Sequence, residues 1–428
     1  MLVAYARSLK PDLPRNVWVV QGGGLVNAFG NGIVLPFLII YLHNVRGVSL
    51  GVAGLVAAAN SAAALATGFL AGTLSDRIGP RNVLIGALLV MTGAIVLFPL
   101  IRTSWHALAL GAALGAGSGA FWPSQSSLIA AFTPSGRRHS AFGLQRVTMN
   151  LGLALGGLTG GLIASSARPS SYTALFLVDA ATFLGYVLVL LRLPAPRLSP
   201  QREAGGYREV LRDRPFRSYV LLNALFIGSG MAVIAELLPP YAKNNAGVAE
   251  TGVGALWFVN ALVVVLAQLP VVKLAERRRR MLGLALMGVI WAATMLIIAA
   301  TGTWLQATAA TAVFAVAVAA FGIGECLHGT IHVPLTADLA PPRLAGRYLA
   351  LSSQSWQVGW IIGPAAGGFL LQHAPLALWL GAAAANLIGS GWALALERRL
   401  PAAVRRTPAA VEAQAPVLER EAVPAVTP

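Results

Sequence analysis

The sequence predicts an all-α polytopic membrane protein, built as two pseudo-symmetric six-helix bundles with both termini on one side. Three observations predict it. Of 428 residues, 57% are hydrophobic and only 11% charged, giving a mean hydropathy of +0.71; a water-soluble chain of this length has too much outer surface to cover with so few polar groups. Apolar runs long enough to cross ~30 Å of hydrocarbon as helices recur along the whole chain. The second half of the chain also repeats the first.

Twelve spans are expected, near residues 17–42, 50–73, 82–101, 105–131, 140–166, 172–193, 217–242, 252–274, 281–300, 304–332, 345–373 and 375–396. They divide the chain into an N-terminal stretch (1–16), a first bundle (17–193), a linker (194–216), a second bundle (217–396) and a tail (397–428). The opening MLVAYARSLKPDLPRN is mixed in character and the apolar run after it is full length, so it does not read as a cleavable signal. The linker PAPRLSPQREAGGYREVLRDRPF is charged and holds a short amphipathic segment; the tail, rich in Ala, Pro and Glu, is expected to be disordered. The single cysteine, Cys326, excludes an intramolecular disulfide and reads as a small buried apolar residue.

The net charge of +16 is an orientation signal. Of the 31 Lys and Arg, 26 fall in the termini, the linker and the loops on their side of the membrane. Only Arg46, Arg102, Arg168 and Lys243 fall on the other side, and Arg146 lies inside a span. The positive-inside rule then places both termini and the linker in the cytoplasm, with the protein in the inner (plasma) membrane. Nucleic acid is not an expected partner, and no nucleotide-binding G-x-x-x-x-G-K-[ST] occurs.

The repeat is ordered. At an offset of 200, Gly30 meets Gly230, Tyr41 meets Tyr241, Asn44 meets Asn244, Gly47 meets Gly247, Gly54 meets Gly254, Asn60 meets Asn260 and Arg77 meets Arg277, with Asp76 matched by Glu276. At 207, Gly152 meets Gly359, Gly156 meets Gly363 and Gly160 meets Gly367. Two parallel copies joined by a cytoplasmic linker suggest bundles that rock about one central site.

Between spans two and three stands Gly72-x-x-x-Asp76-Arg77-x-Gly79-Pro80-Arg81, and a degenerate copy, LAERRRR, lies between spans eight and nine. Gly79-Pro80 supplies a tight turn; Asp76 suits a neighbouring helix N-terminus; Arg77 and Arg81 can hold carboxylates or last-turn carbonyls. With the span count, linker and repeat, this loop resembles the signature of the major facilitator superfamily, with Pro80 replacing a basic residue. The resemblance implies the major facilitator fold, a monomer without cofactors, alternating access for a small-molecule substrate, and a conformational latch at Gly72, Asp76, Arg77, Gly79 and Arg81 that favours the outward-facing state. An ordinary turn with positive-inside anchors is the alternative for that loop.

Span five carries Gly152-x-x-x-Gly156-Gly157-x-x-Gly160-Gly161, and span eleven the fuller Gly359-x-x-x-Gly363-Pro364-x-x-Gly367-Gly368. These resemble the antiporter motif of the superfamily, with Gly157 where proline is usual. Glycines four apart also serve close helix packing by themselves. Arg146-x-x-x-Asn150-x-Gly152 looks like drug:proton antiporter members. The span-four arginine of many proton-coupled members is absent, its place being Gly111.

Four strongly ionisable residues lie well inside the spans, where each is costly and so a functional candidate: Arg146, Asp179, Glu236 and Glu325. Glu325, in FGIGECLHGTIHVPL, is expected to exchange the coupling proton, with cation binding or a static pair as alternatives. Arg146 either pairs with it across the cavity in one state or snorkels to the interface. Asp179 is a further proton-coupling candidate or a structural hydrogen-bond partner; Glu236 binds substrate, gates the outside or ends a helix. Asn27, Asn31, Phe121, Trp122, Asn150, Trp356 and Gln357 are expected cavity walls, or helix-packing residues. His328 and His332 are four apart, but no further ligands complete a metal site.

The whole reads as a secondary active transporter, not an enzyme, exporting hydrophobic or cationic small molecules against protons within the lipid bilayer. Proton-coupled or facilitative uptake of a specific solute is the alternative.

Overall fold

The computed structural model describes residues 12–134, 137–196 and 207–407. Residues 1–11 of the expected N-terminal stretch, 197–206 of the linker and 408–428 of the tail lie outside the described residues.

Twelve long helices run through the described residues. The first six are α1 (Arg15–Val45), α2 (Leu50–Ile78), α3 (Pro80–Leu100), α4 (Ser104–Phe132), α5 (Arg138–Ile163) and α6 (Pro169–Leu191). After a short linker helix, Tyr207–Arg212, come α7 (Arg214–Ala246), α8 (Glu250–Ala275), α9 (Arg280–Trp304), α10 (Ala307–Leu339), α11 (Ala345–His373) and α12 (Pro375–Glu397). Nine are apolar enough to cross a membrane by length and composition. The other three, α4, α5 and α11, are as long but carry many Gly, Ser, Thr and Gln residues, because they pack against other helices at close range and line the interior.

Local chemistry sets the ends. Ser49 and Thr103 cap α2 and α4 by accepting from the backbone N–H of Val52 and His106, and Asp213 caps α7 by accepting from Phe216 N–H at 3.1 Å. Gly79 joins α2 to α3 at φ +83°, a conformation open to glycine at little cost, and Pro80 opens α3 with no N–H to orphan.

Each half packs its helices alike: α2 on α4 and α1 on α5, then α8 on α10 and α7 on α11. A side chain at Gly160 would lie 2.5 Å from the Ile33 carbonyl, so α5 meets α1 backbone to backbone. Two seams join the halves. At one, a Cβ on Gly161 (α5) would fall 2.8 Å from the Glu250 carbonyl and 3.0 Å from Gly254 Cα (α8). At the other, a Cβ on Gly368 (α11) would fall 2.7 Å from the Leu50 carbonyl and 3.0 Å from Gly54 Cα (α2). Gly54 and Gly254 are repeat equivalents, as are Gly161 and Gly368, so the seams are pseudo-symmetric copies. Gly152, Gly156, Gly363 and Pro364 all lie on such contacts, whereas Gly367 packs against the Leu237 side chain.

The tail departs from the expected disorder beyond Glu397. Glu397 is the last residue of α12, its side chain only 8% exposed, and it takes a bidentate bond from Arg279, Nη2 to Oε2 at 2.5 Å and Nε to Oε1 at 2.9 Å. The chain then turns through Ala402–Val404 and pairs antiparallel with the α8–α9 turn: Arg277 N–H donates to Thr407 O at 2.9 Å, Thr407 N–H to Arg278 O at 3.0 Å, and Arg280 N–H to Arg405 O at 2.8 Å. Composition misses this because two buried anchors, Leu400 and Val404, suffice to dock so short a strap.

Candidate transport site

Two adjoining chambers lie between the halves, of about 360 and 470 Å³. Trp122, Gln145, Met149, Leu153 and Trp356 line both. The first chamber holds Asn27, Asn31, Phe121, Glu236 and Gln357. The second holds Arg146, Asn150, Glu325, His328 and His332. The expected cavity residues are thus brought together from α1, α4, α5, α7, α10 and α11. Phe121 and Trp122 meet edge to face at 5.3 Å between centroids.

Asp179 is not brought into either chamber. It is buried where α6 meets α1, receives a 3.5 Å hydrogen bond from Thr182 Oγ1, and lies 2.5 Å from where a Cβ on Gly30 would stand. Its surroundings suit the structural hydrogen-bond role, not exchange with a cavity.

The charges in the chambers are unevenly satisfied. Glu325 accepts from Asn260 Nδ2 at 3.2 Å. Glu236 has no hydrogen-bond or ion-pair partner among the described residues, and the buried Oδ1 of Asn27 in the same chamber has none either. Arg146 packs against Gly329, where a Cβ would be 2.8 Å from a guanidinium nitrogen, one turn along α10 from Glu325. Arg146 and Glu325 share the chamber without forming an ion pair: the five ion pairs among the described residues lie elsewhere.

Below Glu325 on α10 a polar chain runs toward the termini. His328 Nε2 lies 2.7 Å from Asn223 Oδ1, and the His328 and His332 rings stack at 4.8 Å. His332 Nδ1 lies 2.8 Å from the Tyr219 hydroxyl, while its Nε2 meets Ser352 Oγ at 3.0 Å and accepts from Trp356 Nε1 at 3.3 Å. Both rings are spoken for by protein partners, and no group of three or more metal-ligating side chains occurs among the described residues. Asn260 escaped sequence reasoning as a site residue, although its match with Asn60 and its place in an apolar span were signals. Tyr219, Asn223 and Ser352 left no signal, because ordinary polar residues on separate helices reveal their convergence only in three dimensions.

The loop from Gly72 to Arg81 sits at the termini face. Asp76 and Arg77 are exposed and make no hydrogen bond or ion pair among the described residues, and Arg81 donates to Leu191 O, at the end of α6, at 3.2 Å. At the opposite face the halves are tied. Asn44 Nδ2 donates to Asn244 Oδ1 at 2.8 Å, Gly51 N–H to Gln372 Oε1 at 3.0 Å, and Ser166 Oγ and N–H to Glu250 Oε1 at 2.8 Å; Lys243 pairs with the same Glu250 oxygen at 2.8 Å. The Asn44–Asn244, Gly51–Gln372 and Ser166–Glu250 bonds join the two bundles far from the termini, and Lys243 braces Glu250 from within the second bundle.

The sequence profile of the Major Facilitator Superfamily matches residues 22–305 and, again, 221–425. The chain belongs to that superfamily. It is a membrane transporter, not an enzyme, and the two-bundle fold is the superfamily's. Among curated relatives it is 27% identical over 373 residues to the MFS-type transporter YttB of Bacillus subtilis (strain 168), covering 84% of this chain and 89% of the relative. It is 25% identical over 364 residues to multidrug resistance protein MdtH of Aeromonas hydrophila, covering 84% and 88%. It is 24% identical over 387 residues to a Na(+), Li(+), K(+)/H(+) antiporter of Planococcus maritimus, covering 82% and 86%. Among solved structures, a D-xylose-proton symporter superposes with a TM-score of 0.72 at 16% identity, covering 91% of this transporter and 98% of that chain. Such distant structural likeness carries the fold alone.

In this superfamily setting Gly111 explains a departure. It faces α2, where a Cβ would already stand 2.6 Å from Val56 Cγ1 and 3.0 Å from the Val56 carbonyl. The transporter has no room there for an arginine.

Proposed function

We propose that this transporter exports hydrophobic, cationic small molecules from the cytoplasm in exchange for protons, as a monomer in the inner membrane with both termini inside. The observation that carries this reading is the acceptor-rich, aromatic-walled first chamber. Glu236 and Asn27 Oδ1 offer lone pairs that no described residue uses, and Asn27 Oδ1, being buried, is costly to leave without a donor. An ammonium or amidinium on an apolar body satisfies them and stacks on Trp122 and Trp356.

Glu325 is the proton-exchanging group in this reading, and Arg146, in the same chamber, is its partner in the state not seen here. The charge bias of the loops makes the termini face cytoplasmic, so a structure tied at the far face is inward-facing, with the Asp76–Arg81 latch released. The names of MdtH and of the cation/proton antiporter agree with proton-driven efflux.

The test is dye efflux driven by a proton gradient in inverted vesicles, with wild type compared with Glu325→Gln at matched abundance. The expected result is gradient-driven transport by wild type, and dye binding without gradient-driven transport in the variant. Equal transport by both would remove Glu325 from coupling. No movement of any cationic dye under a verified gradient would favour uptake of a defined solute.

A further inference from the structure

We propose that the end of the second bundle at the termini face carries a binding site for the headgroup of an anionic phospholipid, assembled when the strap after α12 docks on the α8–α9 turn. The backbone pairing of residues 405–407 with 277–280 brings two arginine clusters, about 120 positions apart in sequence, onto one surface. Two members are already committed: Arg279 to Glu397, and buried Arg280 to Asp338 at 2.6 Å. Six remain outside any ion pair among the described residues: Arg277, Arg278, Arg398, Arg399, Arg405 and Arg406. Five of the six are exposed, and Arg405 is half-buried with its guanidinium on the carbonyls of Leu400 and Arg398.

Topology alone does not require this arrangement. Positive-inside signalling needs basic residues near helix ends, not a backbone bridge that forces like charges together. Glu276, Asp338 and Glu397 are too few to balance these arginines, and holding the excess charge there is unfavourable unless a further anion joins it. Arg277 also adopts a left-handed φ of +58°, rare for a residue with a side chain, at the point where the turn meets the strap.

The neighbouring surface selects a lipid over a soluble anion. Leu274 at the end of α8, Leu282 at the start of α9 and Leu394 near the end of α12 are 65%, 48% and 41% exposed. Each stands within a turn or so of the arginines. Cations above an apolar, outward-facing surface match a phosphate headgroup above its acyl chains.

The test uses the full-length protein and phosphatidylglycerol. Native mass spectrometry of protein released from mixed phosphatidylglycerol–phosphatidylcholine nanodiscs counts retained lipid. Wild type is expected to retain phosphatidylglycerol about fivefold over phosphatidylcholine. The quadruple variant Arg277→Gln/Arg278→Gln/Arg398→Gln/Arg399→Gln is expected to fall to parity. The same positions changed to Lys should keep most of the preference, and Arg208→Gln/Arg212→Gln on the linker should keep all of it. Retention by the Gln variant at the wild-type ratio would overturn the proposal, as would parity in the wild type. Displacement of the lipid by millimolar inorganic phosphate would also overturn it, by showing a site for the free anion. If the Gln variant fails to fold, Arg398→Gln/Arg399→Gln alone, whose side chains hold no other group among the described residues, decides the matter by the same ratio.

Discussion

Asn44 and Asn244, equivalent residues of the two halves, hydrogen-bond to each other at 2.8 Å. A contact between repeat-related positions lies on the pseudo-two-fold axis of the molecule. It sits beside Gly47 and Gly247, which end α1 and α7 at φ +68° and +61°, so the axis passes where the halves are tied. Rocking that opens the far face must break the pair. Asn44→Cys/Asn244→Cys in a Cys326→Ala background is therefore expected to cross-link under mild oxidation and to halt transport until reductant is added. Full transport by the cross-linked protein would show that the far face need not open.

The glycine seams predict steric sensitivity. At Gly254 a Cβ would meet the Gly157 carbonyl at 2.5 Å and Gly161 Cα at 3.0 Å. Gly254→Val should force α5 and α8 apart and destabilise the protein by about 1–3 kcal/mol, the usual range for overpacking. Thermal unfolding in detergent measures it. Gly86, with nothing within 4 Å of its Cβ position, is the control, and Gly86→Val should be nearly silent.

The strap predicts a role for an apolar anchor outside the membrane core. Leu400 is 1% exposed, and Leu400→Ala should cost about 2–4 kcal/mol locally, the range for a buried leucine. Limited proteolysis is then expected to cut the variant after α12 sooner than the wild type. Equal cleavage rates would mean that the backbone pairing and the Arg279–Glu397 pair hold the strap without it.

Glu236 and Glu325 separate binding from coupling. Glu236→Gln should weaken binding of cationic dyes by about tenfold, the scale of one lost charge-assisted contact, and leave an uncharged hydrophobic dye unaffected. Equilibrium binding to the purified transporter distinguishes the two dyes. Equal losses for both would point to a shape defect instead of a missing charge.

His332 has a predictable tautomer. An indole N–H can only donate, so the Trp356 contact requires a lone pair on His332 Nε2 and puts the ring proton on Nδ1, facing Tyr219. Nitrogen-15 spectra of the labelled protein should show the Nδ1-protonated form, and Trp356→Phe should raise the share of the other tautomer. An Nε2-protonated ring in the wild type would contradict the geometry.

The sequence by itself determined the twelve spans, their division into two parallel halves and the family. Apolarity over some 20 residues, turn chemistry at Gly79-Pro80 and a repeat at an offset of 200 are local or register properties, readable without coordinates. It also marked Glu325, Glu236 and Arg146, because a charge inside an apolar run stands out wherever its helix packs. Tertiary structure alone decided which of these charges share a chamber, since rotation about a helix axis is set by packing. Asp179 shows this: it is as conspicuous in sequence as Glu325, yet α6 turns it toward Gly30 and away from the cavity. The strap at Arg405–Thr407 shows the converse, a segment of unpromising composition ordered by its own two apolar anchors and by backbone pairing and an Arg279–Glu397 ion pair with a distant part of the chain.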